Sequence, residues 1–348
     1  MQELPKEYTE QFKKQFPDAF FLSYDAAALT QFLQEKDFLD ASEKVERLEK
    51  PGEGNMNFVV RAITNQRTFI VKQARPWVEK YPQIPAPVNR NKAETAYYKV
   101  IRSNSLLESF SPLLLFSDKK HFIAVYSDLG NSKDFTHLYE PEQIFQAKPL
   151  NKLLVYLGEL HTLEIKDFPE NKAMRELNHE HIFKYPFSQD NGFDLNGVHE
   201  GLEDVALKYK TDLDIKEKTT YLGNLYLSKG NCLIHGDFYP GSWVANETGI
   251  KVIDPEFSFL GHAEFDIGVL LAHLYLAGQG VDTIQHALDH YIKPTGFDMK
   301  LVAGFAGTEI MRRLLGVAQL HLPFSLEEKQ KILEKASNWV LNDEIVLE

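Results

Sequence analysis

One cysteine, Cys232, stands in a chain of 348 residues. That scarcity excludes an internal disulfide and any multi-cysteine zinc site, and it fits a reducing cytoplasm. No uncharged apolar run approaches the length needed to cross a bilayer, and no basic, apolar leader precedes Pro5. The expectation is a mature cytoplasmic protein with no membrane partner. Positive charge is also in deficit: 38 basic against 50 acidic residues give a formal net charge of −12. Broad electrostatic attraction to nucleic acid is therefore excluded, and an anionic ligand would need a local site of backbone amides, a metal ion and a few chosen cations. Repeats and low-complexity tracts are absent.

What is there reads as an ordinary globular chain, 43% hydrophobic and 25% charged. Its length exceeds what one core serves, so two lobes are expected, with a cleft between them as the natural active site. Residues 27–36 and 89–103 carry helical periodicity, while 56–63 and 68–74 are strand-like runs separated by the polar turn Thr64 to Arg67. Pro76, Pro82, Pro85 and Pro87 exclude a helix interior over 77–89 and predict an ordered loop or mobile flap. A further strand, His121 to Tyr126, runs into Ser127-Asp-Leu129-Gly, where the lobes are divided into 1–128 and 129–348. Beyond Pro149 helices dominate, as in Leu150, Leu153, Leu154, Leu157 and in 264–277, and Ser325-Leu-Glu-Glu328 is a capping box for a last helix. The fold class is therefore α+β, with a small sheet-bearing front lobe and a larger, mainly helical back lobe.

The chemistry concentrates in the one hairpin of the back half. Leu233-Ile-His-Gly-Asp237-Phe-Tyr-Pro-Gly-Ser242 is followed by two short apolar runs around Asn246-Glu-Thr-Gly249 and then by Asp254-Pro-Glu256. Phosphoryl transfer needs one carboxylate to take the proton of the attacking hydroxyl and another to hold Mg²⁺ on nucleotide phosphates. Asp237 and Asp254, 17 positions apart, suit a loop and the end of a returning strand. Ser242 stands where an amide metal ligand is common in such enzymes, and its hydroxyl can ligate or support Mg²⁺. Read alone, His-Gly-Asp is a turn whose aspartate caps amides; the spacing to Asp-Pro-Glu makes the catalytic reading the better one.

In the front half, Pro51-Gly-Glu-Gly54-Asn55 leads into a strand, and Phe69-Ile-Val-Lys72 is a strand holding one lysine. Glycines let amides approach phosphate while lysine supplies a point charge, and Glu94 on the following helix can orient that lysine. No Gly-Lys-Ser/Thr follows, so this is not a Walker A loop. Glycines in a turn and a lysine on a strand edge are the plainer readings of each feature alone.

Arg312 and Arg313 are adjacent on an otherwise apolar helix, so they cannot share one solvent stripe. At least one is expected to reach a partner; the plainer reading, slightly favoured, is a surface arginine beside an ion pair with Glu309, and the functional one is a guanidinium lining a polyhydroxyl or phosphate site. His161 reads as a satisfied core histidine, His235 as a brace of the loop, and Asp266 as an N-terminal helix cap that also steadies it. Trp243 and Trp339 are assigned to packing.

Taken together, Gly54-Asn-Met-Asn-Phe, Ile70-Val-Lys-Gln-Ala, the Arg90 to Glu94 spacing, His235-Gly-Asp with Gly241-Ser242, Asp254-Pro-Glu-Phe through Asp266-Ile-Gly, and Arg312-Arg313 resemble the aminoglycoside phosphotransferase and choline kinase superfamily. Within it they look like the branch that phosphorylates 5-methylthioribose. The resemblance spans residues 51 to about 318 and implies a protein-kinase-like fold and a cytoplasmic, ATP- and Mg²⁺-dependent transfer to the C1 hydroxyl of that sugar, a step in methionine salvage. It implies Asp237 as base and substrate contact, Asp254, Glu256 and Ser242 at the metal, Arg312 and Arg313 at the sugar, and Gly54, Asn55, Lys72, Glu94, Ser127 and Leu129 at the nucleotide. Family precedent also implies a homodimer. Where the family commonly has Leu-His-Thr after His-Gly-Asp, this chain has Phe238-Tyr239-Pro240, a different wall beside the attacking hydroxyl. The competing readings are a related kinase for a pentose, homoserine, choline or an aminoglycoside, and a catalytically silent binding protein. Paired arginines oppose a polycationic aminoglycoside, and Lys72, Asp237 and Asp254 are all retained. A dinucleotide oxidoreductase fits less well, because the glycines precede a strand instead of joining a strand to a helix.

Overall fold

Alternating apolar residues at 58–73 build the centre of an antiparallel sheet in the computed structural model, which describes residues 6–52, 54, 56–320 and 322–347. The chain divides into two units, Met1–Asn131 and Ser132–Glu348. The first contains α1 (Lys6–Gln15), α2 (Ala26–Glu35), β1 (Val45–Glu49), β2 (Phe58–Thr64), β3 (Thr68–Gln73), β4 (Trp77–Val78), β5 (Tyr81–Pro85), α3 (Arg90–Ile101), α4 (Ser105–Ser109), β6 (Leu114–Asp118) and β7 (Ile123–Ser127). Its sheet runs β1-β2-β3-β7-β6, with Val60 opposite Val71 and Ala62 opposite Phe69.

Period-two alternation sends Val60, Ala62, Phe69, Val71, Ile123 and Val125 to one core, where they meet Leu29, Phe32 and Leu33 of α2. Those three fall on one face of a helix that Asp25 starts by accepting from the Ala28 amide at 2.9 Å. The proline-rich stretch is more regular than a loop. β4 and β5 pair antiparallel, with Trp77 opposite Pro85. A two-stranded ribbon leaves outward positions that need no amide hydrogen, so Pro82 and Pro85 are tolerated in it.

The second unit contains β8 (Lys133–Asp134), α5 (Ala147–His161), α6 (Lys172–His179), α7 (Leu202–Thr211), α8 (Leu213–Leu227), β9 (Cys232–Ile234), β10 (Trp243–Asn246), β11 (Gly249–Val252), β12 (Phe259–Gly261), α9 (Ala263–Leu276), α10 (Val281–His290), α11 (Met299–Leu315) and α12 (Leu326–Asn342). Helix α9 is apolar on nearly all sides and packs against α11, which is likewise buried almost all round although it carries Glu309, Arg312 and Arg313. Two small ribbons, β11-β10-β8 and β12-β9, emerge from this helical mass. Among the described residues no helix is long and apolar enough to cross a membrane.

The capping box at the start of α12 is complete. Ser325 Oγ accepts from the Glu328 amide, and Glu328 returns a carboxylate to the Ser325 amide at 2.7 Å. Ser325→Ala is expected to cost about 1 kcal/mol, read as a lower midpoint in urea with an unchanged slope.

Candidate active site

Three residues of β9 end at a loop that only glycine can turn. Gly236 has φ +82°, and a Cβ there would stand 2.4 Å from the Phe257 carbonyl oxygen. The next residue, Asp237, is thereby turned out of the strand. Its loop is pinned from behind: Asp266 accepts the His235 amide at 2.6 Å and the Gly236 amide at 2.9 Å. Asp266 is in turn held by His161 Nε2 at 3.1 Å, and His161 Nδ1 meets the Tyr291 hydroxyl at 2.7 Å. Asp266 thus steadies the loop as the sequence implied, but it is not the cap of its own helix. It is the fourth residue of α9, whose N-cap position is His262, and its buried carboxylate is spent on the two loop amides. His161 is the satisfied core histidine the sequence implied. His235 is buried and donates Nε2–H to the Ile253 carbonyl at 3.0 Å, and burial lowers its pKa. It is a neutral brace.

Asp237 keeps 27% of its side chain exposed. Burial pushes its carboxyl up to about 6, against the pull of Arg313 and Arg312 and with a further rise from Glu309 and Glu256. Solvent at the exposed edge moderates that rise without changing its direction. The β10–β11 register, Trp243 opposite Val252, brings the two ends of the hairpin together, and the Ile253 amide donates to the Ser242 carbonyl at 2.9 Å. Ser242 itself is buried, with Oγ donating to the Asp237 carbonyl at 2.8 Å, so its hydroxyl proton serves the loop.

Asp254 follows β11 in the left-handed region, at φ +62°, with its side chain exposed. Glu256, two positions on, is buried, and its backbone is held by Asn171, whose Nδ2 donates to the carbonyls of Glu256 at 2.8 Å and Ser258 at 3.1 Å. Among the described residues no three His, Cys, Asp or Glu side chains form a metal cage. Mg²⁺ needs none, because it is commonly held by one or two carboxylates together with phosphates and water. The all-oxygen pair Asp254 and Glu256 fits that habit.

The paired arginines depart from the surface reading. Both are buried, and both converge on Glu309 one turn earlier: Arg312 Nε reaches Oε2 at 2.7 Å and Nη2 reaches Oε1 at 2.9 Å, while Arg313 Nε reaches Oε1 at 2.7 Å. The two arginines hold the Glu309 carboxyl well below the glutamate range against its burial. With α11 enclosed on almost every side, only such an internal carboxylate makes two cations tolerable there. His273 Nε2 also meets Glu309, at 3.1 Å, and its Nδ1 meets the Tyr139 hydroxyl at 2.5 Å; burial pulls its pKa down to about 4. From this cluster Arg313 extends Nη2 to 3.7 Å from Asp237 Oδ1. Trp243 and Trp339 are packing residues, fully buried.

The first unit carries the remaining candidates. Lys72 and Glu94 are both buried and paired, Nζ to Oε1 at 2.9 Å. At Gly52 a Cβ would meet nothing within 4 Å, and at Gly54 nothing nearer than 3.5 Å. Among the described residues, packing does not demand a glycine at either position. Asn55 lies outside the described residues. Ser127 ends β7 with its hydroxyl accepting the Leu113 amide at 2.8 Å, and Leu129 follows in the turn. Sequence reasoning missed Arg61, whose guanidinium grips Asp128 at 2.8 Å and the Gly130 carbonyl at 2.9 Å beside Leu129. It also gave no structural role to Arg90, a buried clasp on Asn57 Oδ1 at 2.8 Å and on the Met56 carbonyl at 2.9 Å, just beyond the glycine turn. The Arg90 to Glu94 spacing was the available signal for the second; no sequence signal marks the first.

The sequence profile of the phosphotransferase enzyme family matches residues 47–302. The chain is 27% identical to a methylthioribose kinase of Bacillus pumilus, over 77% of this chain and 78% of that one. It is 26% identical to a methylthioribose kinase of Exiguobacterium sibiricum, over 78% and 79%. Its fold is similar to that of an ethanolamine kinase of Plasmodium vivax, with a TM-score of 0.52 at 14% identity over 97% of this chain and 95% of that one.

Proposed function

The chain belongs to the phosphotransferase enzyme family, and from that premise we propose that it moves the γ-phosphoryl group of ATP to the C1 hydroxyl of 5-methylthioribose. Asp237 accepts the hydroxyl proton as the new oxygen–phosphorus bond forms and the bond to the β-phosphate oxygen breaks, releasing ADP. Asp266, through the His235 and Gly236 amides, holds that carboxylate in place. Asp254 and Glu256 would hold Mg²⁺, which supplies positive charge to the phosphates. Lys72, oriented by Glu94, is the candidate for a phosphate contact, with Gly54, Asn55, Ser127 and Leu129 as the further nucleotide candidates. Arg312 and Arg313 face the sugar.

The observation that carries the choice of acceptor is the cluster beside Asp237. Two guanidinium groups and one carboxylate leave one net positive charge buried 3.7 Å from the base, enough to balance Asp237 when it is ionised. That charge opposes a polycation and suits a neutral polyhydroxyl compound or one with an anionic group. The names of the Bacillus and Exiguobacterium relatives support a methylthio sugar among such compounds.

The test is ADP release with ATP and Mg²⁺ from a panel of 5-methylthioribose, ribose, choline, homoserine and kanamycin. Selective turnover of 5-methylthioribose is expected, with kanamycin and choline inert. Preference for either cation would overturn the acceptor assignment.

A further inference from the structure

The residue after Phe238 is placed unlike its neighbours. Phe238 and Pro240 turn inward and are buried, with Phe238 stacked on Tyr156 at 6.0 Å between ring centres. Tyr239, between them, stays half-buried and lies folded back on the chain. A Cβ at Gly241 would stand 2.4 Å from its hydroxyl oxygen and 2.5 Å from Cζ, so the glycine is a seat for the ring. One neighbour of the ring is His273, 5.1 Å between centres; another is the Arg313 guanidinium, whose Cζ stands 5.1 Å from the ring centre. Such a placement is a cation–π contact.

Arg313 is thus held at three points: Nε on Glu309, the ring of Tyr239, and Nη1 toward the Ala318 carbonyl at 3.4 Å. Its remaining nitrogen, Nη2, stops 3.7 Å from Asp237 Oδ1. That is beyond hydrogen-bond length, which for a charged pair is about 2.7–2.9 Å. The gap matters for the reaction. A carboxylate oxygen drawn into a short guanidinium pair gives up a lone pair and much of its basicity toward an acceptor hydroxyl, whereas one with a cation nearby but not bonded keeps both.

We propose that Tyr239 is a positioning residue: its ring, seated on Gly241, holds Arg313 off Asp237 and so keeps the base free for the acceptor hydroxyl. This rests on the reading of Asp237 as the base, and it adds a duty for a residue that departs from the usual loop sequence. Removing the ring frees the long arginine side chain to close the gap. Tyr239→Leu is expected to lower kcat about tenfold or more with the KM for ATP unchanged, and Tyr239→Phe, which keeps the ring, to recover kcat to within about threefold of the parent. Combining Tyr239→Leu with Arg313→Gln removes the competitor for the carboxylate. In that background the leucine substitution is expected to cause no further loss, the non-additivity of residues that act on one another. A residue that merely filled space would give additive losses.

Two arms keep the test decisive. Gly241→Ala pushes the ring off its seat without replacing the tyrosine, and it is expected to reproduce the loss and its suppression by Arg313→Gln even if Tyr239→Leu folds poorly. A crystal structure of Gly241→Ala or Tyr239→Leu reads the gap with no reaction involved. Closure of Arg313 Nη2 onto Asp237 to below about 3.2 Å supports the proposal whatever the acceptor is. A gap unchanged at 3.7 Å, additive kinetic losses, or a Tyr239→Phe variant as slow as the leucine one would overturn it. Absence of phosphoryl transfer by the parent protein, with the gap closing in the variants, would count against the kinase assignment alone.

Discussion

Asp237→Asn is expected to reduce kcat by about 10²–10⁴, the contribution of a positioned general base, while leaving ATP affinity within about twofold. The amide keeps the shape of the carboxylate but cannot accept the hydroxyl proton, and the candidate metal ligands Asp254 and Glu256 are untouched. The parent's pH profile should show the same group. Because burial pushes the carboxyl up to about 6, it is protonated over a wider acid range than an ordinary aspartate. kcat/KM should therefore fall on acidification along a limb centred at about 6, and the residual activity of Asp237→Asn should lack that limb. Turnover of the variant within tenfold of the parent, with the limb intact, would remove Asp237 from this role.

The second large effect concerns stability. Glu309 is 1% exposed and is the common partner of Arg312, Arg313 and His273. Glu309→Gln leaves two buried guanidinium groups with Asp237, 3.7 Å from Arg313, as the remaining counter-charge, and breaking a buried pair by removing one partner costs about 3–5 kcal/mol. For a chain of this size the midpoint of thermal unfolding should drop by roughly 5 °C. The pH dependence has a definite sign. The folded carboxyl lies well below its ordinary value of 4.5, so the stability it confers is present above that value and is lost as pH falls toward the depressed one. The gap between parent and variant should therefore be full at neutral pH and shrink only in strong acid. A drop of less than about 2 °C at neutral pH would contradict the account of this cluster.

Local features were legible in the sequence wherever neighbouring residues decide the structure. Periodicity over 27–36 and 264–277 corresponds to α2 and α9, and the Ser325 and Glu328 pair starts α12 as its spacing implies. The Asn246 to Gly249 turn closes β10 onto β11. The kinase family was legible as well, because its motifs are short and their spacing is set by one hairpin and one strand. What escaped is long-range. The reading of Asp266 as a helix cap that also steadies the loop holds only in its second half, because nothing local shows that the amides of His235 and Gly236, about thirty positions earlier, claim the whole carboxylate. Tyr139 and His273 meet across most of the second unit, with no sequence signal for either. The two arginines looked half-exposed because a charge is expensive to bury. Glu309 was visible at helical spacing from both, but the depth of α11 that forces all three inward is a property of packing. The hairpin β4–β5 was hidden by its prolines, which argue against helix without distinguishing a loop from an edge ribbon.

The central claim is tested most directly by the product. Purified protein with ATP, Mg²⁺ and 5-methylthioribose should yield ADP and one phosphomonoester whose ³¹P resonance couples to the anomeric proton, placing the phosphate on C1. A phosphomonoester coupled elsewhere on the sugar, or ADP formed with no sugar phosphate, would contradict it.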